Sequence, residues 1–407
     1  MAIPLPEDDQ EAANVAALSL LLIAGTTLLS VLATIFFGEH IANALGVPAL
    51  AAYLWLLPVG VLLGGFYKVF NYWSVRTKRF GAIAGTKVRQ SLATVAIQIA
   101  AFKLGGIALL FGQVAGQSVG TANLALPALK LPAFKEISWQ GIKKAAERYK
   151  RFPIFSTWSG FFNTAGTQLP LLMFSAFFSP AAAGLYALAN RVLNLPMSLI
   201  GQAIGQVFFA NAAEAYRAGK LGPLVSGLHA KLAHIGIPPA LLLVLLGPEL
   251  FSFAFGANWS QAGEFARWMA PWLYLVFVSS PLSTLFAVTE SLKQGLVFQI
   301  ILLVARIVAI LIGAWLGDLM LTVILFSGAS ALCWLGFLFW VAHTAGNTAR
   351  SMVMPTLAAC GVGLLCVLPV LITQTLPFVP AHFWPYALVL SLLLLAVRYL
   401  QLLRQAY

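Results

Sequence analysis

The chain has 407 residues, 60% of them hydrophobic and only 9% charged, with a formal net charge of +12 and a mean hydropathy of +0.90. Soluble domains carry roughly 25% charged residues, so the composition excludes an ordinary soluble fold and indicates an all-α, polytopic membrane protein. The excess of positive charge is not read as nucleic-acid binding, because Lys and Arg of a membrane protein collect in its cytoplasmic loops.

The opening MAIPLPEDDQEA is acidic where a signal peptide would be basic. Glu7, Asp8, Asp9 and Glu11 read as a solvated start to the first helix, where carboxylates complement the helix dipole; a cation site is the alternative. A span needs about 20 apolar residues. About twelve stretches qualify: 12–37, 48–73, 81–103, 105–129, 153–178, 181–212, 224–255, 264–289, 293–317, 319–345, 353–374 and 383–403. With a cytoplasmic N-terminus, the loops after the second, fourth and sixth spans hold most of the Lys and Arg, and Lys293, Arg350, Arg398 and Arg404 fall on the same side. Lys68, Arg76, Lys78, Arg79, Lys87 and Arg89 fall in the first of these loops, and Lys130, Lys135, Lys143, Lys144, Arg148, Lys150 and Arg151 in the second. The opposite loops hold Lys103 and Arg267. This asymmetry places both termini in the cytoplasm.

In the fourth span Gly112, Gly116 and Gly120 form a small-residue ridge suited to close helix packing. Its Gly112-Gln113…Gly116-Gln117 pattern recurs as Gly201-Gln202…Gly205-Gln206 in the sixth. The stretch 134–151, FKEISWQGIKKAAERYKR, is basic and carries Trp139 and Tyr149. It reads as a surface helix on anionic lipid headgroups, or as a plain solvated linker.

The fifth span puts Ser156, Gly160, Asn163, Thr164, Thr167 and Gln168 along one face. The sixth puts Asn190, Asn194, Ser198, Gln202 and Gln206 at four-residue intervals, with Arg191 near mid-span. These faces are expected to meet, as a cavity wall or as interhelical hydrogen bonds with no ligand. A second arginine, Arg306, lies deep in the ninth span. An arginine at the bilayer centre costs about 2.5–3.5 kcal/mol on insertion scales, so Arg191 and Arg306 either serve a site or cap backbone carbonyls. Lys103 and Arg267, near outer helix ends, read as snorkelling. His229 and His234 read as interfacial, since their five-residue separation suits no metal. Cys333, Cys360 and Cys366 have no ligand spacing and read as packing residues.

No Walker A, HExxH or GxSxG motif and no intramembrane carboxylate pair is present. Neither an enzyme nor a metal or other cofactor is therefore expected. A site for cationic drugs would want a buried acid, whereas the membrane charges here are cationic and suit a phosphate-bearing or acidic substrate.

Arg151-Phe-Pro-Ile-Phe-Ser-Thr, NTAGTQLP at 163–170 and SAFFSPAAAGLYALANRVLNLPMSLIGQAIGQVFFANAAEAYR up to Arg217 resemble the polysaccharide transporter, or oligosaccharide flippase, family. That family belongs to the multidrug/oligosaccharidyl-lipid/polysaccharide exporter superfamily. LPEDDQEA and KRFGAIAGTKVRQ resemble it more weakly. The resemblance implies two pseudo-symmetric helix bundles that move undecaprenyl-diphosphate-linked oligosaccharide across the bacterial inner membrane by alternating access. It also implies a polysaccharide polymerase complex as partner. The basic residues Lys87 and Arg89 would gather the diphosphate. Arg191, Arg306, Asn163, Gln168, Asn194, Gln202 and Gln206 would hold the substrate in transit. In the family, the LPEDD-like segment follows two further spans. On that alignment 1–133 is a first bundle of four spans lacking two N-terminal helices, 134–152 a basic linker, 153–346 a complete bundle of six, and 347–407 an appended pair. A drug or metabolite antiporter, or a non-transporting scaffold in envelope polymer assembly, are the alternative readings.

Overall fold

The computed structural model describes residues 2–44, 48–375 and 383–404. Residues 376–382 and 405–407 of the expected terminal pair lie outside the described residues. Twelve long helices correspond to the twelve apolar stretches. They are α1 (Asp9–Ala44), α2 (Leu56–Arg76), α3 (Phe80–Ala100), α4 (Gly106–Leu129), α7 (Arg151–Phe177), α8 (Pro180–Arg217), α9 (Leu221–Phe255), α10 (Ser260–Ser279), α12 (Leu292–Trp315), α13 (Leu319–Thr344), α14 (Ala349–Thr375) and α15 (Trp384–Arg404). The short helices α5 (Pro132–Lys135), α6 (Trp139–Tyr149) and α11 (Leu285–Val288) join them. By length and apolar composition, seven of the described helices can cross a membrane on their own, or eight with the bent α8 counted as one span. The protein is a multi-pass membrane protein. Helices α2, α3, α4 and α7 have the length to cross but are more polar than the expected spans. Lys68 and Arg76 interrupt α2, Lys87 and Arg89 interrupt α3, and amide and hydroxyl side chains recur along α4 and α7.

The chain divides into two compact units, Met1–Pro153 and Ile154–Tyr407. In the first, α1 packs on α2, α2 on α4 and α4 on α3. The glycine ridge of α4 makes the last contact. A Cβ at Gly112 would overlap the Gln98 side chain, and one at Gly116 would overlap Thr94 and lie 2.9 Å from the Gln90 carbonyl. Helix α6 is no free linker. It lies on α1, where Asn14 Oδ1 accepts from the Ser138 amide (3.2 Å) and the Tyr149 hydroxyl donates to Glu11 Oε1 (3.1 Å). A Cβ at Gly141 would come within 2.5 Å of the Asn14 amide group, so only glycine fits that crossing.

The acidic start of α1 is likewise tied down rather than merely solvated. Asp8 accepts from the Glu11 amide at 3.1 Å, which caps the helix. Arg76, at the end of α2, pairs with Asp9 at 2.9 Å and donates to the carbonyls of Pro6 and Glu7. One guanidinium fork thus fixes the entry of α1 against the exit of α2.

The second unit is built around α10, which packs against α8, α9 and α13. Its core joins Phe174, Tyr186, Leu193, Phe251, Phe265, Met269, Trp272, Leu273, Ile310 and Phe326. Helices α14 and α15 belong to the same unit. Leu242 and Leu246 of α9 share a second core with Val367, Val370, Ala387 and Leu395. His229 is 2% exposed, because α14 covers it. Its Nε2 lies 3.2 Å from the Met352 carbonyl and 2.9 Å from Thr356 Oγ1. Arg267 does not snorkel freely either: it pairs with Glu264 at 3.1 Å and donates to the Leu245 carbonyl, beside the break in α9 at Leu246.

The ridge on α4 gives a direct test. Gly116→Leu forces overlap with α3, and such overpacking costs about 1–3 kcal/mol. Gly85→Ala, at a position with nothing within 4 Å of an added Cβ, is expected to be neutral or slightly stabilising. Thermal unfolding of the detergent-solubilised protein should show a lower midpoint for Gly116→Leu only.

Candidate functional site

The residues singled out on the fifth and sixth spans fall on α7 and α8 of the second unit. Helix α7 is held there by a narrow stripe. Gly166, Pro170 and Phe174, one helical turn apart, are buried, while no residue from 154 to 165 is. Asn163, Thr164, Thr167 and Gln168 are all exposed. Of the two expectations for this face, interhelical hydrogen bonds to α8 are not shown for these four residues, which leaves them open to solvent or a ligand. The hydroxyls of Thr164 and Thr167 return to carbonyls of their own helix, Gly160 at 2.9 Å and Thr164 at 2.8 Å.

Helix α8 starts with Pro180 at its first position and a Ser179 cap that accepts from the Ala182 amide at 3.0 Å. Its buried side carries Ala182, Tyr186, Ala189 and Leu193, which share the unit's core with α10. The opposite side carries the polar stripe. Arg191, Ser198 and Gln202 are exposed, and Asn194 and Gln206 half-buried. Asn194 Nδ2 donates to the carbonyl and the side-chain oxygen of Asn190, at 2.8 and 2.7 Å. Arg191 has no carboxylate partner among the described residues. Helix α8 bends by 46° between its segments Pro180–Leu195 and Ile200–Arg217. Pro196 sits in the gap and has no backbone N–H to donate. Below the bend, Gly205 brings α8 within van der Waals reach of Pro281.

Lys87 and Arg89 are exposed on α3 of the first unit; Arg89 Nη1 donates to Asn123 Oδ1 at 3.2 Å.

Arg306 takes the second of the two roles expected for an arginine at this depth, capping a backbone carbonyl. Its placement is interior, at 6% exposure. The guanidinium donates through Nη1 to the Gly166 carbonyl at 2.7 Å and through Nε to Ser330 Oγ at 3.0 Å. It lies 5.1 Å from the centroid of Trp272 and 5.5 Å from that of Phe326. The physical reason lies on α7. A helical carbonyl at 166 would normally accept from the amide of residue 170, and residue 170 is proline. Arg306 satisfies the carbonyl that Pro170 leaves unpaired, so of the two arginines only Arg191 is exposed. The signal was present in the sequence, as an intramembrane proline together with an intramembrane arginine lacking an acid.

The chain matches the family model described as "Polysaccharide biosynthesis protein" over residues 6–264. It belongs to that family. Among solved structures it is similar to "Lipid II flippase MurJ, inward closed conformation", with a TM-score of 0.62 and 16% identity over 96% of this chain and 84% of that chain. At this identity the likeness is one of fold. No curated protein sequence matches.

The exposed polar faces of α7 and α8 should meet water, because polar groups at membrane depth face a cavity or protein. In a background free of Cys333, Cys360 and Cys366, cysteines placed at Asn163, Gln168 and Gln202 are expected to react with a membrane-impermeant maleimide. One placed at Ser330 should not. Reaction of the first three with lipid-soluble reagents alone would show that these faces meet lipid.

Proposed function

We propose that this protein flips a lipid-linked oligosaccharide, carried on undecaprenyl diphosphate, across the bacterial inner membrane by alternating access, for surface polysaccharide or lipopolysaccharide biosynthesis. Both termini lie in the cytoplasm, as the Lys and Arg asymmetry requires. The observation that carries this reading is the surface of α7 and α8. Asn163, Thr164, Thr167, Gln168, Ser198 and Gln202 are exposed there, its exposed cation is Arg191, and 154–213 contains no Asp or Glu. Such a wall attracts a diphosphate and has no counter-charge for an organic cation. Family membership and the MurJ-like fold support the same class of substrate. The work is transport, with no bond made or broken in the sugar.

Arg191 holds the diphosphate in transit, and Asn163, Gln168, Asn194, Gln202 and Gln206 offer hydrogen bonds to phosphate and sugar. Lys87 and Arg89, exposed on α3, attract the headgroup on the cytoplasmic side. Helix α6 rests against anionic lipid. Its Ala145 and Tyr149 are buried towards α1, while Lys143 and Lys144 are exposed and Trp139 is 74% exposed, an arrangement suited to the headgroup region.

The test is transfer of labelled lipid-linked oligosaccharide in reconstituted vesicles. A hydrogen bond to a charged group contributes about 1.5–3 kcal/mol, so Arg191→Ala is expected to slow transfer roughly 10–100-fold, with Arg191→Lys keeping part of the rate. Transfer by Arg191→Ala at the unmodified rate would remove Arg191 from the site. Proton-driven efflux of an organic cation, indifferent to Arg191, would replace this reading with an antiporter.

A further inference from the structure

We infer that Arg306 is the positioning residue of α7: a fixed internal cation that ties the middle of this helix to α12 and α13 through the one carbonyl that Pro170 leaves without a helical donor. Four observations converge. Pro170 removes the amide that would pair with the Gly166 carbonyl. Arg306 Nη1 lies 2.7 Å from that same oxygen. The guanidinium is itself held, by Ser330 Oγ at 3.0 Å and by the rings of Trp272 and Phe326. Finally, α7 has little else to hold it in the second unit. Its fully buried residues there are Gly166, Pro170 and Phe174, the last stacked on Tyr186 at 4.9 Å between ring centroids, and the partly buried Leu171 and Met173 add to this contact only beyond Pro170.

A proline in mid-helix weakens the backbone ladder where it stands. The arginine replaces the missing donor from outside the helix, so α7 is at once loosened along its own axis and pinned from the side. Because the pin comes from α12, the orientation of the polar face bearing Asn163 and Gln168 is set by a residue that touches neither. Gly166 suits the approach, since a Cβ there would stand 3.6 Å from Nη1. Tying the arginine to a backbone carbonyl and a hydroxyl rather than to a carboxylate keeps the charge in place without a competing partner that could pull it away from α7.

The proline supplies the test. In Pro170→Ala the new amide can pair with the Gly166 carbonyl, so α7 no longer needs Arg306. Spin labels on cysteines at Asn163 of α7 and Leu332 of α13, both exposed, report their separation in a background free of the three native cysteines. The parent and Pro170→Ala are expected to give one narrow distance distribution. Arg306→Gln should add a second population and lower the unfolding midpoint by roughly 5 °C. Arg306→Gln with Pro170→Ala should recover the narrow distribution and most of the midpoint. Ser330→Ala, which leaves the Gly166 bond in place, should keep the parent distance.

An unchanged distribution in Arg306→Gln overturns the inference, as does an Arg306→Gln effect of equal size with Pro170→Ala. If Arg306→Gln cannot be purified folded but the double variant can, the rescue supports the tie; failure of both overturns it. No substrate enters these measurements. A chain that failed to move lipid-linked sugar would therefore overturn the proposed function and leave this result standing.

Discussion

The constraint on which the second unit depends is that a backbone carbonyl inside a membrane cannot be left to water. Each helix normally satisfies its own, but proline withdraws a donor four residues after the carbonyl it abandons. This chain places several prolines within its long helices, and at two of them the structure shows what takes the donor's place. Pro170 frees the Gly166 carbonyl of α7, which accepts from Arg306. Pro239 frees the Ile235 carbonyl of α9, which accepts from the Tyr399 hydroxyl of α15 at 2.9 Å. The break at Leu246 is handled alike, with Arg267 reaching the Leu245 carbonyl. In each case a local defect in one helix becomes a bond to another. Defects of this kind select which helices must be neighbours in a way that apolar contact cannot, since lipid tails compete with apolar side chains for the same surface.

This has a consequence for the site. A helix fixed by two or three such points needs no wide apolar face buried against its neighbours. Helix α7 fully buries Gly166, Pro170 and Phe174, rests Leu171 and Met173 on the core, and leaves the face with Asn163, Thr164, Thr167 and Gln168 exposed. Helix α8 solves the same problem differently, through a continuous buried side against α10 and a polar side turned away from it. Polar groups used for packing would be unavailable to a ligand. Here Thr164, Thr167 and Asn194 bond within their own helices, and these bonds tie neither helix to a neighbour.

The fold class and the twelve long helices could be read from the sequence because apolar length is a strong, local signal. The glycine ridge of α4 was equally readable, since small residues at four-residue spacing have few other uses in a membrane helix. What could not be read was anything decided by a partner far along the chain. Asp9 looked like a helix-start carboxylate until Arg76, 67 residues away, closed on it. The burial of His229 could not be read, because nothing near it in sequence says that α14 will cover it. The polar faces of α7 and α8 can be identified residue by residue, but adjacency in the chain does not decide whether they bond to each other. Sequence neighbours joined by a tight turn at Phe178–Ser179 need not pack along their length.

Arg191 and Arg306 show how little the residue itself determines. Each lies inside an apolar stretch with no carboxylate partner among the described residues, and each carries the same insertion cost of about 2.5–3.5 kcal/mol. What separates them is a proline on a third helix. Pro170 offers Arg306 an unpaired carbonyl, and two aromatic faces and a hydroxyl complete its surroundings, so its charge is consumed by the fold. Arg191 has no such acceptor and remains exposed on the side of α8 away from the core. The fold leaves the charge of Arg191 unused, which is why the proposed function assigns the diphosphate to it: an anion offsets a guanidinium by charge and by paired hydrogen bonds.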